Sequence, residues 1–421
     1  MIRHLLRIVW NRRRANALVA LEILLSFLVL CAVATMVVYY VDNYRRPLGY
    51  VWQDTWVVTM DANARDQVMM AEAGTAAAGT GPKALQRAMV ARLIAIAGDL
   101  PEVASASAAF TGPYDNSTWT DFIKVGGKQY VYGYNEATDG FADTLRTNVL
   151  RGRWFDRSDD GADWTAAVIN LRLAREMFGD GDPVGQLVED ETELDPASPV
   201  QHERTRLRIV GVIDDFRKDG EYSAPGSFLI ARNRLDDPRE LIHSPRVLLV
   251  RVRPGTTAAF EEKLVSRLRA AAPDWTFQSE PLELKRDESH RNFIGPLAAA
   301  GVVAAFLLIM VALGLTGVLW LNVTQRTREI GLRRAEGATI LSVQQQLVGE
   351  VTVLTTLAVL VGVAVAAQFP LFGLYGEVPP AVYLAGLGLA LVGIYALTIA
   401  CAYVPSRLAG SVQPAEALRY E

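Results

Sequence analysis

Apolar and polar positions along the chain fall into two regimes. Four long apolar runs occupy Ala15–Tyr40, Phe293–Leu321, Leu347–Leu374 and Ala381–Val404. Each is long enough, as a helix rising 1.5 Å per residue, to cross a hydrocarbon core of about 30 Å. Each also exceeds the roughly 7–15 apolar residues of a signal-peptide core. Ala32-Val33-Ala34 mimics a signal-cleavage site, but the apolar run continues through Met36, Val37 and Val38 to Tyr40, so an uncleaved anchor is expected. Between the first two runs the pattern changes to short alternating segments. Val51–Thr59, Phe122–Val125, Tyr130–Tyr134, Ala166–Ile169, Leu207–Ile213, Ser227–Ile230 and Val247–Val252 read as strands. Lys83–Ala97 and Thr257–Ala271 have helical spacing, with Leu85, Met89, Leu93 and Ile94 on one and Phe260, Leu264 and Leu268 on the other. The small, polar stretch Ala71–Gly81 reads as a flexible loop. Gly126-Gly127-Lys128 reads as a hairpin turn. The fold class expected is a membrane protein of four transmembrane α-helices, arranged one plus three, with a large α+β domain inserted between helices one and two.

Charge then orients the chain. Arg3, Arg7, Arg12, Arg13 and Arg14 precede the first run; Arg326, Arg328, Arg333 and Arg334 lie between the second and third; Arg407 and Arg419 follow the fourth. The turn between the third and fourth runs has no Lys or Arg. The positive-inside rule places both termini and the 322–346 loop in the cytoplasm. The predicted layout is a cytoplasmic segment 1–14, helix 15–41, an external domain 42–292 and helix 293–321. A cytoplasmic loop 322–346, helices 347–374 and 381–404 and a cytoplasmic tail 405–421 follow. Of 421 residues 51% are hydrophobic and 21% charged, with a formal net charge of −4. That average conceals two compartments: the external segment holds 39 of the 46 acidic and 31 of the 42 basic residues. Mild overall acidity argues against nucleic acid as a partner. Both cysteines, Cys31 and Cys401, fall in apolar runs, so no disulfide holds the external domain.

Catalytic signatures are missing. His4, His202, His243 and His290 are scattered without ligand spacing, and there is no H-E-x-x-H, G-x-S-x-G or Walker A pattern. The acidic stretch Glu189–Asp195 reads as a solvated loop, and Asp214-Asp215 as a cap or turn at a strand end.

Three matches carry a resemblance. Leu150–Gln186, LRGRWFDRSDDGADWTAAVINLRLAREMFGDGDPVGQ, with the following Arg208–Phe216, resembles the external core domain of MacB-type ABC transporter permeases of the FtsX superfamily. Arg326–Glu350, RTREIGLRRAEGATILSVQQQLVGE, resembles that family's loop between helices two and three, and Gln413–Arg419 is a weaker third match. By itself that loop is short and cationic, with Gly331 and Gly337-Ala338 allowing close backbone approach. The resemblance implies a coupling helix seated in a groove of an ATPase. Arg326, Arg328, Glu329, Ile330, Gly331, Arg333, Arg334, Glu336, Gly337 and Ala338 form the candidate coupling site. Glu336 departs from the aliphatic residue usual in the family, so part of the groove contact differs.

Two carboxylates lie within apolar runs. Glu22 reads either as a partner for Arg326 or a second subunit, or as a side chain reaching the cytoplasmic headgroups. Glu350 matches the family motif and reads as structural at the start of helix three. Gly301, Gly314, Gly317, Gly349 and Gly362 favour close helix contacts, a homodimer seam included. The resemblance implies a permease without cofactors of its own, with ATP and Mg bound by a separate ABC ATPase present in two copies. The remaining partners expected are a second copy of the permease, the lipid bilayer and, for an exporter, a periplasmic adaptor and an outer-membrane duct. The location expected is the bacterial inner membrane. The expected function is export or efflux of a periplasmic drug or peptide, driven by mechanotransmission across the membrane. The alternatives are a signalling subunit that regulates a periplasmic hydrolase or senses peptides, and lipoprotein release.

Overall fold

The computed structural model describes residues 13–62, 82–115, 119–189, 206–236, 243–325, 332, 335, 337–372 and 378–411. It divides into two compact units, one of residues 1–42 with 293–421 and the other Asn43–Asn292.

The first unit holds the apolar helices. They are α1 (Arg13–Tyr44), α6 (Leu282–Gln325), α7 (Ile340–Ala366) with the short α8 (Gln368–Leu371), and α9 (Pro380–Ser411). The four long helices are long and apolar enough to cross a membrane. Ile23 and Phe27 of α1 are fully buried, among Val311 and Leu315 of α6, Val351 and Ala358 of α7, and Ala390 and Ile394 of α9. Hydroxyls join α7 to α9: Thr355 Oγ1 lies 3.3 Å from Thr398 Oγ1, and Thr356 Oγ1 2.9 Å from the Tyr395 hydroxyl. Leu18, Leu25, Phe306, Leu313, Leu360 and Val392 are exposed, the outward apolar face that lipid requires. The 44 residues of α6 make it about 66 Å long, more than twice a hydrocarbon core, and its first turns, Leu282–Asn292, belong to the second unit.

The second unit is built on one 11-stranded sheet, β11-β1-β10-β2-β4-β9-β6-β8-β5, with β3 added to β4 and β7 to β8. The strands are β1 (Thr55–Ala62), β2 (Val103–Ala109), β3 (Thr120–Val125), β4 (Lys128–Ala137), β5 (Val149–Gly152), β6 (Thr165–Asn170), β7 (Leu187–Glu189), β8 (Arg206–Ile213), β9 (Phe228–Arg232), β10 (Val247–Val252) and β11 (Trp275–Pro281). Pairing is antiparallel except for β4 with β9 and β6 with β8. At one end α2 (Pro82–Gly98) and α5 (Ala259–Ala271) cover β11, β1, β10 and β2, burying Val90, Leu93, Phe260, Leu264 and Leu268. At the other end α4 (Leu171–Phe178) packs Leu173 and Ala174 on β6, β8 and β9. Between them, α3 (Phe141–Leu145) buries Phe141 and Leu145. The sheet is narrowest where β2 meets β4, at the single pair Ala109–Ala137.

Several expectations shift. Val51–Asp54 is a turn, and the first strand starts at Thr55. The segments β2, β5, β7, β11 and α3 had no sequence expectation. β2 reads VASASAA, whose small residues have weak strand preference, and only pairing with β10 settles its conformation. Glu189 of the acidic stretch ends β7 and bonds Arg206 at 2.8 Å, while 190–195 and the Ala71–Gly81 loop lie outside the described residues. Gly126 and Gly127 adopt φ of 58° and 74° between the paired Val125 and Lys128, the two-residue hairpin turn expected.

Candidate functional site

The loop between β8 and β9 gathers charged residues around the last turn of α1 and the first turns of α6. The buried Arg217, only 2% exposed, leads it. Its guanidinium donates to four backbone carbonyls: Asn43 at 2.8 Å, Arg46 at 3.2 Å, Ser223 at 2.6 Å, and Glu221. Asn43 lies in the last turn of α1, where helical carbonyls lack intrahelical donors, and Arg46 just beyond it, so Arg217 caps the helix from a distant loop. Asn43 answers by donating from Nδ2 to the Tyr222 carbonyl at 3.1 Å. The Arg217 backbone N–H donates to the Leu48 carbonyl at 3.1 Å, and the Tyr50 hydroxyl to the Arg217 carbonyl at 3.3 Å.

Glu221, four residues on, holds the other helix. Arg286 Nε donates to Glu221 Oε1 at 2.6 Å, and His290 Nε2 lies 3.0 Å from Oε2. Arg286 and His290 are one helical turn apart, so both face one carboxylate. The Tyr114 hydroxyl donates to Oε2 at 3.2 Å, and the Arg286 guanidinium lies over the Trp52 ring at 4.6 Å. Rings close the site: Tyr222 is 5.6 Å from Tyr44 and 5.1 Å from His290.

Two glycines make this loop possible. Gly220 has φ of 92°, and a Cβ there would stand 2.6 Å from the Tyr114 ring. Gly49, at φ of 87°, touches the Asp215 carbonyl where any side chain would overlap it.

The electrostatics fit a permanent clamp. Burial pushes the Glu221 carboxyl up, but hydrogen bonds from Arg286 and His290 outweigh it and hold it below the usual carboxylate range. Burial draws the Arg217 guanidinium below its usual value, with Asp215 and Glu221 opposing. Burial, with Asp214 adjacent, pushes Asp215 up. Glu221 is therefore ionised at neutral pH, and its carboxylate is an acceptor only. Its described hydrogen bonds all position helix ends and loop backbone, so the cluster acts as a structural clamp.

A second buried carboxylate, Glu136 on β4, lies at the narrow part of the sheet. It accepts from the Tyr134 hydroxyl at 3.1 Å and Asn233 Nδ2 at 2.9 Å, and lies 3.3 Å from His243 Nδ1. Two histidines that look scattered in sequence thus each meet a buried carboxylate; His4 and His202 lie outside the described residues.

Of the candidate coupling site, Arg326, Arg328, Glu329, Ile330, Gly331, Arg333, Arg334 and Glu336 lie outside the described residues. Gly337 has φ of 101° and, with Ala338, precedes Thr339, whose side chain caps α7 by accepting from the Ser342 N–H at 3.2 Å. Glu350 accepts from Gln346 Nε2 at 3.3 Å within α7. Glu22 packs on Gly314 of α6, where a Cβ would come within 2.6 Å of its carboxylate. Gly362 faces Phe27, whereas Gly301 and Gly317 have open space beside them. Sequence reading missed Arg217, Glu221, Arg286 and His290. The available signal was the basic pair at i and i+4 just ahead of an apolar helix.

Two family models match: the MacB-like periplasmic core domain over residues 23–267, and the FtsX-like permease C-terminal over 301–414. Curated relatives include the pyoverdine export ATP-binding/permease protein PvdT of Pseudomonas aeruginosa, 24% identical over 69% of this chain and 42% of that one. Another is the macrolide export ATP-binding/permease protein MacB 2 of Aeromonas hydrophila, 28% identical over 65% of this chain and 41% of that one. The chain thus spans about four-tenths of the length of these relatives. Among solved structures, the periplasmic region of MacB from Actinobacillus actinomycetemcomitans aligns with 58% of this chain and 96% of its own, at 10% identity and a TM-score of 0.37. The extracellular domain of the noncanonic transporter YknZ from Gram-positive bacteria aligns with 53% and 99%, at 12% identity and a TM-score of 0.34. With four apolar helices, a large α/β domain between the first two, and family models matching both parts, the chain is an integral membrane protein of the ABC transporter permease family that joins a MacB-like periplasmic core domain to an FtsX-like permease domain.

Proposed function

We propose that this chain is the permease subunit of an exporter, converting ATP-driven movement at its cytoplasmic face into movement of its external domain. The observation that carries this reading is the clamp. One loop of the α/β domain holds the last turn of α1 through Arg217 and the first turns of α6 through Glu221. Displacement of either helix end moves that loop, a two-helix linkage of the kind switching proteins use. ATP is hydrolysed on a separate ABC ATPase, two copies of which serve a permease homodimer in the inner membrane with both termini cytoplasmic. The 322–346 loop, with Arg328, Arg333 and Arg334, receives the ATPase. The names of the relatives, which join ATP-binding to permease and specify export, support the reading as an ATP-driven exporter. The cargo is a molecule already outside the membrane, passed to an adaptor and an outer-membrane duct.

The test is reconstitution of the full chain with the ATPase that co-purifies with it, with phosphate release measured. Culture supernatants of wild-type and deletion strains are then compared by mass spectrometry for an exported molecule. Expected are ATPase activity dependent on the permease and a compound lost from the deletion supernatant. A chain that transports without any ATPase, or a complex whose deletion changes cell-wall hydrolysis and no exported compound, would overturn the exporter reading.

A further inference from the structure

β11 closes one edge of the sheet, with β1 on its inner side. The outward-facing peptide groups follow from the register. Val252 N–H donates to the Asp54 carbonyl and Met60 N–H to the Arg246 carbonyl, so even-numbered residues of β1 face β10. Odd-numbered residues face β11, where Val57 opposes Glu280, Thr59 opposes Gln278 and Asp61 opposes Thr276. Those three β11 residues turn their peptide groups inward, and Phe277 and Ser279 present theirs on the outer edge. Trp275 N–H is already taken by the Ala272 carbonyl, and Pro281 has no N–H, so they bound the open stretch.

Beside this edge runs a groove of about 690 Å³ between β11 and α5. Val265 and Phe277 give it an apolar floor, Glu261 and Glu262 acidify one end, and Arg269 stands at the other. Neither Glu261 nor Glu262 has an ion-pair partner among the described residues. The Ser279 hydroxyl, lining the same groove, is buried without a hydrogen-bond partner. An edge unpaired among the described residues, a groove of opposite-charged ends and an orphan hydroxyl are together met by an added strand.

We propose that the groove between α5 and β11 docks an extended segment of a partner polypeptide, which adds a strand to the outer edge of β11. Its backbone bonds the outward peptide groups of Phe277 and Ser279, and apolar side chains on one face of the strand meet Val265 and Phe277. A basic side chain meets Glu261 and Glu262, and an acidic one Arg269. This proposal is independent of the exporter reading, because it requires a polypeptide partner of the domain and no transport.

The probe is a fluorescein-labelled heptapeptide, Lys-Val-Thr-Val-Thr-Val-Glu with blocked ends, titrated against the full chain in detergent micelles. Saturable binding is expected, with amide exchange slowed at Phe277 and Ser279. Ser279→Pro removes an outward N–H while leaving the β1 ladder intact, and weakens binding about tenfold, the loss of one well-made hydrogen bond. Glu261→Lys with Glu262→Lys, two surface changes that spare the core, weakens binding of this peptide severalfold, and binding returns for a peptide whose Lys is replaced by Glu. No saturable binding, or binding unchanged in both variants, would overturn the proposal. So would protection of Phe277 and Ser279 that rises with protein concentration without peptide, which would assign the edge to a second copy of this chain.

Discussion

Arg217 shows how one side chain ties distant segments together. Its guanidinium serves four carbonyls within a buried site, and a carbonyl left there without a donor costs about 1–3 kcal/mol. Arg217→Met is expected to destabilise the α/β domain by on the order of 3 kcal/mol, or roughly 6–12 °C in Tm for a domain of this size, measured by thermal unfolding of the full chain in detergent. Arg217→Lys, with three donors on a compact ammonium, recovers part of that loss. Glu221 adds a pH signature. Its folded pKa lies below its unfolded value, so its stabilisation is complete above the ordinary carboxylate range, near pH 4.5, and disappears as pH falls through the folded value. The wild-type chain should lose Tm below about pH 4.5, and Glu221→Gln should flatten that part of the profile. Gly220→Ala is expected to cost about 1–3 kcal/mol from positive φ alone, besides displacing the Tyr114 ring. None of these contacts is legible in sequence. Asn43 and Arg217 are 174 positions apart, and only the fold makes an arginine after a strand into a helix cap.

At the scale of elements, the apolar helices were the most legible parts. A bilayer admits only helices or closed barrels, so a long apolar run carries nearly all the information needed. Their contacts were less so. Gly314 and Gly362 face Glu22 and Phe27 as small residues at helix contacts do, while Gly301 and Gly317, alike in sequence, face open space. Gly386 lies against the Thr35 backbone of α1, so Gly386→Leu should separate α9 from α1 and lower the Tm of the membrane unit in detergent, whereas Gly317→Leu should leave it near the wild type. Strands rich in Val, Ile and Leu, such as β8 and β10, were readable from composition. The Ala- and Ser-rich β2 was not, because its conformation comes from its partners. Turn chemistry was readable where backbone conformation demanded glycine, as at Gly126-Gly127, and hidden at Gly49 and Gly220, where tertiary contact makes the demand.

At the scale of the whole molecule, coupling is the quantity to measure. If the 322–346 loop receives the ATPase as proposed, Arg333→Glu with Arg334→Glu should abolish permease-stimulated ATP hydrolysis in the reconstituted complex while leaving Tm unchanged. Arg217→Met should instead leave ATP hydrolysis running and remove its external consequence, read as loss of export. The two variants thus interrupt opposite ends of one linkage, and wild-type export in either would refute its part. Sequence alone determined the kind of molecule. Apolar length prescribes four membrane helices, hydrophobic alternation prescribes a mixed α/β domain between the first two, and contiguous motifs reveal the permease family. These are local properties, set by solvent and by neighbours a few residues away. Only the tertiary structure decided where the helix ends are gripped, which carboxylates are buried beside a histidine, and which strand is left at the sheet's edge. Each of those depends on residues brought together from remote positions, and a linear pattern holds no record of such proximity.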